Sequence, residues 1–480
     1  MMAPDCPTLA IMGHPNAGKS SVVATLTEND RIAIDKRAGT TTRSDSYPVI
    51  IDGVTIMEFI DTPGFQNPSD ILEWFQAHPR ESDLARAFVK AHRDDPLFSH
   101  DCALLEPVAD GAGIILVVDG SKRIKEKDRI EMELLRLTAR PRMAILNNLT
   151  RIDKHMSAWQ DALNKAFNSV REFNAHRATY AERIALLNAL KSIDQRWEAR
   201  LTQVIDSFER DWERRIEASV STIIDLMKKA LVFKATRVVR AAELETDTDR
   251  EEVQERLRES FMAGLRKLEE EAQAEVRSHF RHNVWSVPPD SLLQRDLFSD
   301  EVGEALGLSR HKLVLASTAA GAATGAAIDL GVGGLSMGLG ALIGGATGGA
   351  LGVLGSTALA KMDIQRTLGV ERFTIGPVSN PVFPFVLLDR IILYCARAMN
   401  WSHGRQAADE DNPNKVPERE IKRKRGFTEG LPSEERKALA KFFDAAKKGR
   451  ESNQEDRCRD ALAEVLRGLS TSDVDARINI

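Results

Sequence analysis

The chain has 480 residues, 42% of them hydrophobic and 29% charged, with a formal net charge of −5. That length allows roughly two to four domains, and the apolar content excludes a disordered chain. The mild acidity gives no argument for wholesale nucleic-acid binding and leaves room for a local basic patch; the scattered Cys6, Cys102, Cys395 and Cys458 argue against a disulfide scaffold or a zinc site and fit a reducing compartment.

Thr8–Met12 is a short apolar strand, too short for a signal-peptide core. It runs into Gly13-His14-Pro15-Asn16-Ala17-Gly18-Lys19-Ser20, the G-x-x-x-x-G-K-[ST] spacing of a phosphate-binding loop, and Lys19–Thr27 opens a helix behind it. In this pattern main-chain amides wrap a phosphate, Lys19 neutralises its oxygens, the Ser20 hydroxyl reaches Mg2+, and the helix N-terminus faces the anion. The nucleotide-binding candidates run through Ser21. A polar loop follows, Ala38-Gly39-Thr40-Thr41-Thr42-Arg43, in which a threonine can complete the metal shell. Val49–Ile51 and Val54–Ile60 read as strands paired through Asp52-Gly53. Next comes Asp61-Thr62-Pro63-Gly64, with Asp61 as a second metal-side ligand and the Gly64 N–H as a γ-phosphate donor. Gly113–Asp119 and Met143–Leu146 are buried-strand runs flanking the amphipathic Lys125–Thr138; Val170–Phe173 reads as the last strand and Tyr180–Leu190 as the last helix. The alternation predicts an α/β P-loop NTPase domain with a mostly parallel sheet over 1–190.

Residues 191–290 are charged and nearly free of Gly and Pro. Trp197, Leu201, Ile205 and Phe208 recur at helical spacing, as do Ile216, Val220, Ile224 and Met227, which predicts a helical bundle or stalk. The whole C-terminal part is expected to be all-α. Residues 291–405 hold a glycine-rich apolar stretch and a second apolar region, Phe373–Ala398; 406–480 read as a polar, peripheral tail with two amphipathic helices near 433–448 and 455–468. The basic run Lys422–Arg425 reads as a solvated helix end or a lipid-headgroup contact, and Trp285, Tyr394 and Trp401 as core packing or an interface.

Between 313 and 360 the only charge is Asp329, and Gly340, Gly344, Gly348 and Gly352 fall four apart, which on a helix makes a stripe for close packing. Two readings stand: a helical hairpin in or on a membrane, or a buried hairpin packed within a soluble domain. Asp329 opposes spanning unless it sits at the hairpin tip.

The motifs GHPNAGKS, AGTTTR and DTPG resemble the first three G motifs of Era/TrmE-type GTPases. The resemblance implies a GTPase with Lys19, Thr42 and Gly64 in catalysis and Ser20, Thr42 and Asp61 around Mg2+, with Thr41 the alternative to Thr42. It places Phe65 where other GTPases carry a catalytic glutamine, and Asn16 where relatives bind K+. The fourth motif departs from the family: Asn147-Asn148-Leu149-Thr150 lacks the aspartate that reads guanine. A shifted reading, Thr150-Arg151-Ile152-Asp153, gives that role to Asp153, which reads equally as a helix N-terminal charge. The glycine-rich stretch, Ile375-Gly376-Pro377 and Phe383–Arg390 resemble a C-terminal domain of unknown function found after the GTPase domain in a bacterial family; this resemblance spans about residues 5–405.

The expectation is a Mg2+-dependent, GTP/GDP-binding switch on the cytoplasmic side, free or attached to the inner membrane through 313–360, with K+ as a candidate cofactor. Self-association through the G domain or the helical domain is a further expectation. A nucleotide-binding scaffold with negligible hydrolysis and an unselective NTPase remain as alternatives.

Overall fold

A computed structural model describes residues 6–28, 44–51, 53–147, 154–175, 178–281, 296–298, 359–401 and 426–470. Its first unit is a six-stranded sheet built from β1 (Thr8–Met12), β2 (Asp45–Ile51), β3 (Val54–Asp61), β4 (Gly113–Asp119), β5 (Arg142–Asn147) and β6 (Ser169–Glu172). The order is β2-β3-β1-β4-β5-β6, with β2 antiparallel to β3 and every other pairing parallel. The central strands are apolar on both faces because both are covered. Leu9, Ile11, Ile115, Val117, Met143 and Ile145 point into one core layer, and Ala10, Met12, Ile114, Leu116, Ala144 and Leu146 into the other.

The first layer is closed by α1 (Lys19–Thr27), α7 (Tyr180–Lys191) and the start of α8 (Gln195–Val232). The second is closed by α2 (Pro68–Ala77), α3 (Leu84–His92), α4 (Ser99–Ala109), α5 (Glu126–Leu137) and α6 (Met156–Ala166). Helices α2 to α4 fill the stretch between β3 and β4.

Helix α8 has 38 residues, about 57 Å at 1.5 Å per residue. Its N-terminal part, Leu201 to Phe208, belongs to the G-domain core; from Trp212 to Leu231 it belongs to a second core. Packed against it are α9 (Asp247–His279), α10 (Phe383–Met399), α11 (Ser433–Lys447) and α12 (Glu455–Ser470). Thr246 and Asp249 form a reciprocal capping box that starts α9. Inside this core Glu269 takes two hydrogen bonds from Arg390, at 2.7 and 3.2 Å.

Two readings need correction. The C-terminal part is not all helical: β7 (Ala235–Arg240), β8 (Ala360–Thr367) and β9 (Val370–Val378) form an antiparallel sheet in the order β7-β9-β8. The β-branched Val238 and Val239 favour extended chain there, and Phe373 and Ile375 alternate inward from β9, so Phe373–Ala398 is a strand followed by a helix rather than one apolar element. Nor are the last helices peripheral. Leu439, Phe442, Phe443 and Ala446 make an apolar stripe at helical spacing that enters the second core, as do Leu462 and Leu466. Tyr394 is buried and Trp401 half-buried against the same core.

The run 313–360 lies outside the described residues save Leu359 and Ala360, which are buried; Lys422–Arg425 and Trp285 lie outside them too. Among the described residues no helix is long and apolar enough to cross a membrane, and no group of three metal-ligating side chains occurs. All four cysteines are free thiols.

Candidate functional site

The loop between β1 and α1 sits at the carboxyl ends of the parallel strands, where α/β sheets bind ligands. Two glycines make its path. Gly13 has φ +135°, and a Cβ there would lie 2.1 Å from the Val117 carbonyl oxygen; Gly18 has φ +94°, and a Cβ would meet the Asn147 amide at 2.3 Å. Asn16 adopts φ 64° and is exposed on the loop beside the exposed Pro15. Ala17 closes the turn by donating its N–H to the His14 carbonyl at 3.2 Å. Helix α1 begins without a side-chain cap and without an acid in its first turn, so its leading N–H groups are open to an anion.

Lys19 is buried and bridges its own loop, donating from Nζ to the carbonyls of Gly13 at 2.9 Å and His14 at 3.2 Å. Burial lowers its pKa, opposed by the charges of Asp61 and Glu131. Ser20 Oγ donates to Asp61 Oδ2 at 2.9 Å. Asp61 is 4% exposed at the end of β3, and its Oδ1 has no hydrogen-bond partner among the described residues. Burial raises its pKa, with Lys19 and the Ser20 hydrogen bond pulling the other way. A buried carboxylate oxygen with no partner among the described residues, next to a serine hydroxyl and a lysine, fits a divalent cation: Mg2+ takes hard oxygen ligands from one or two carboxylates plus phosphate oxygens. Ser21 is 1% exposed, enclosed within the first turn of α1 rather than open beside the loop.

Gly64 faces the loop, with its Cβ direction 3.4 Å from Pro15 Cδ. Phe65 turns inward and is buried among the α2–α5 side chains. The following peptide is pinned from two sides: Lys127 Nζ donates to the Phe65 carbonyl at 2.9 Å, and the Gln66 N–H donates to Asp101 Oδ1 at 2.9 Å. Asp101 is fully buried and also receives Asn67 Nδ2 at 3.0 Å. Asn147 is buried and supports the loop, donating from Nδ2 to the Ala17 carbonyl at 3.0 Å.

The structure therefore gathers Gly13 to Ser20, Asp61, Gly64 and Asn147 at one end of the sheet. Thr42, Thr41, Asn148 and Asp153 lie outside the described residues. Sequence reading missed Asp101, Lys127, Asp128 and Glu131. Only the capping pair of Lys125 and Asp128 at the start of α5 leaves a local trace.

Residues 8–148 match the family model described as "50S ribosome-binding GTPase", and residues 160–470, about two thirds of the chain, match "Domain of unknown function (DUF3482)". The second match reaches past the 405 limit set by motif resemblance and takes in α11 and α12. The tRNA modification GTPase MnmE of Lactobacillus delbrueckii subsp. bulgaricus is 30% identical over 149 residues, 31% of this chain and 26% of that protein. GTPase Era of Ureaplasma parvum is 30% identical over 128 residues, 26% of this chain and 42% of that protein. The chain thus spans about a quarter to two fifths of the length of these relatives. Among solved structures, Aquifex aeolicus Era bound to GDP and aluminium fluoride aligns at 15% identity and a TM-score of 0.26, over 48% of this chain and 71% of that one. An N-terminal GTPase domain of the Era, MnmE and Der kind leads into the second region, and the chain belongs to the DUF3482 family.

Proposed function

We propose that the protein binds Mg2+–GTP and hydrolyses it to GDP and phosphate, using the nucleotide as a switch on the helical region. The observation that carries this is the Ser20–Asp61 pair beside Lys19, with one buried oxygen of Asp61 unpartnered among the described residues. Lys19 would exchange its two loop carbonyls for β- and γ-phosphate oxygens, and the open amides at the start of α1 would hold the β-phosphate. Ser20 and Asp61, with Thr42, would hold the cation, which when bound offsets charge on the phosphate oxygens. The Gly64 N–H would meet the γ-phosphate. Asn16, exposed on the loop, is the K+ ligand of this proposal, and Asn148 or Asp153 the base reader.

Competition of GTP and ATP for a fluorescent analogue tests guanine preference; equal affinities would leave an unselective NTPase. Single-turnover phosphate release with and without K+ tests hydrolysis. Buried Phe65 favours a second reading, a nucleotide-binding scaffold, because no side chain at that position can orient water. Phosphate release no faster than background in either salt would select it. Membrane contact through 313–360 and location at the cytoplasmic face of the inner membrane belong to the same proposal; equal liposome pelleting of the full chain and a variant lacking 313–360 would remove them. Self-association is tested by light scattering in each nucleotide state.

A further inference from the structure

One turn of α5 touches both the phosphate loop, at His14, and the segment after Asp61, at the Phe65 carbonyl. His14 Nε2 lies 2.6 Å from Asp128 Oδ1, so the ring donates there. Asp128 also accepts the Lys125 N–H at 2.6 Å through its other oxygen. Lys127 holds the Phe65 carbonyl, as described above. Glu131, 3% exposed, sits between them: Oε2 is 3.6 Å from His14 Nε2, and Oε1 is 3.9 Å from Lys127 Nζ. Oε1 has no hydrogen-bond partner among the described residues. It lines a small cavity whose other walls include Gly13 and His14 of the loop and the apolar Leu116, Val118, Met132 and Trp159.

We propose that Glu131 is a positioning residue that takes up a proton from solvent when nucleotide binds, and that its neutral form lets α5 hold the phosphate loop and the Phe65 segment in the nucleotide-bound spacing. This rests on the nucleotide-binding reading above. The titratable and charged groups facing Glu131 are His14 from the loop, Lys19 from α1, and Lys127 and Asp128 from α5; Trp159 of α6 offers no charge. Burial pushes Glu131 up to about 7, with His14 and Lys127 drawing it down. Asp128 is likewise buried, but the hydrogen bonds from His14 and the Lys125 N–H hold it below the ordinary range, so it stays charged. A polyphosphate held by the loop would bring several negative charges close by and draw Lys19 toward itself. Both effects disfavour a second anion at Glu131. Linkage then makes nucleotide affinity fall as pH rises through the free-state value.

The experiment is binding of a fluorescent GDP analogue with Mg2+ to the full chain between pH 7.0 and 8.5. That range lies above the ~6 of a terminal phosphate, so the nucleotide contributes little. The parent should weaken about fourfold or more across it, as expected for one proton bound near neutrality. Glu131→Gln, a permanently neutral isostere, should vary less than about twofold and bind at pH 8.5 as the parent does at pH 7.0. Calorimetry of the parent in two buffers of different ionisation enthalpy gives an independent readout, a net proton uptake at pH 7.5 that Glu131→Gln lacks. Tight binding with no proton uptake by the parent, or a Glu131→Gln profile matching the parent's, overturns the inference and leaves the nucleotide reading intact. No binding at any pH overturns both.

Discussion

Glu28, the residue that ends the phosphate-loop helix, is bonded to Arg215 from the middle of α8, across 187 residues of chain. The carboxylate also takes Arg183 of α7 at 2.6 Å and lies 3.6 Å from Arg281, just past α9. Arg215 is shared with Asp211 at 2.6 Å. The end of the phosphate-loop helix and the helical region therefore meet at one buried charge. Removing one partner from such a group strands the others, so Glu28→Ala should lower stability by about 3 kcal/mol. Urea unfolding checks it, and a change below about 1 kcal/mol would show that the cluster is not coupled as drawn.

Asp61 should trade stability against function. Burial raises its pKa, so its proton is bound more tightly in the folded state than in the unfolded state. That contribution to stability is present at low pH and is lost as pH rises through the folded value. Without nucleotide or metal, Asp61→Asn should therefore melt higher than the parent at pH 8, while losing Mg2+-dependent nucleotide binding. A lower melting temperature at pH 8 would contradict this account.

The Glu269–Arg390 pair is buried on both sides. Either Glu269→Met or Arg390→Met alone should cost about 3–5 kcal/mol, while the double substitution should recover most of it, because two apolar side chains of similar volume leave no charge unpaired. A double variant as unstable as either single one would mean that the bonds to Arg390 do more than neutralise charge.

Phe442 reports on the terminal helices. It is 1% exposed in the second core and packs on Phe443 with ring centres 5.8 Å apart. Phe442→Ala should destabilise by about 3–5 kcal/mol, measured by thermal or chemical unfolding. A shift within 0.5 kcal/mol, as for a surface position, would return α11 to the periphery.

What the sequence could convey was local. Gly13 and Gly18 are required by the turn they occupy, Lys19 and Ser20 follow at fixed spacing, and the double-faced apolar strands announce a covered parallel sheet. Asp101, Lys127 and Glu131 act on partners 35, 62 and 117 residues away, and no spacing rule links them. The second sheet was hidden for the same reason: β7 pairs with β9 across about 130 residues, and neither strand is strongly apolar. The last two helices were legible but their burial was masked by composition, since a narrow stripe led by Leu439 and Phe442 is outnumbered by charged neighbours.

Helix α8 has a consequence for how the polypeptide matures. On a ribosome the first 190 residues would emerge with one sheet face covered only in part, because Leu201 to Phe208 complete the layer that α1 and α7 begin. Once those have docked, the next turns of the same helix present Ile216, Val220 and Ile223 before the later helices that bury them are made. Their shield includes α12 (Glu455–Ser470), which is made far later than α8. An early stop in translation would thus release a product with a greasy ridge along its side, a natural client for holdase chaperones and a seed for aggregation.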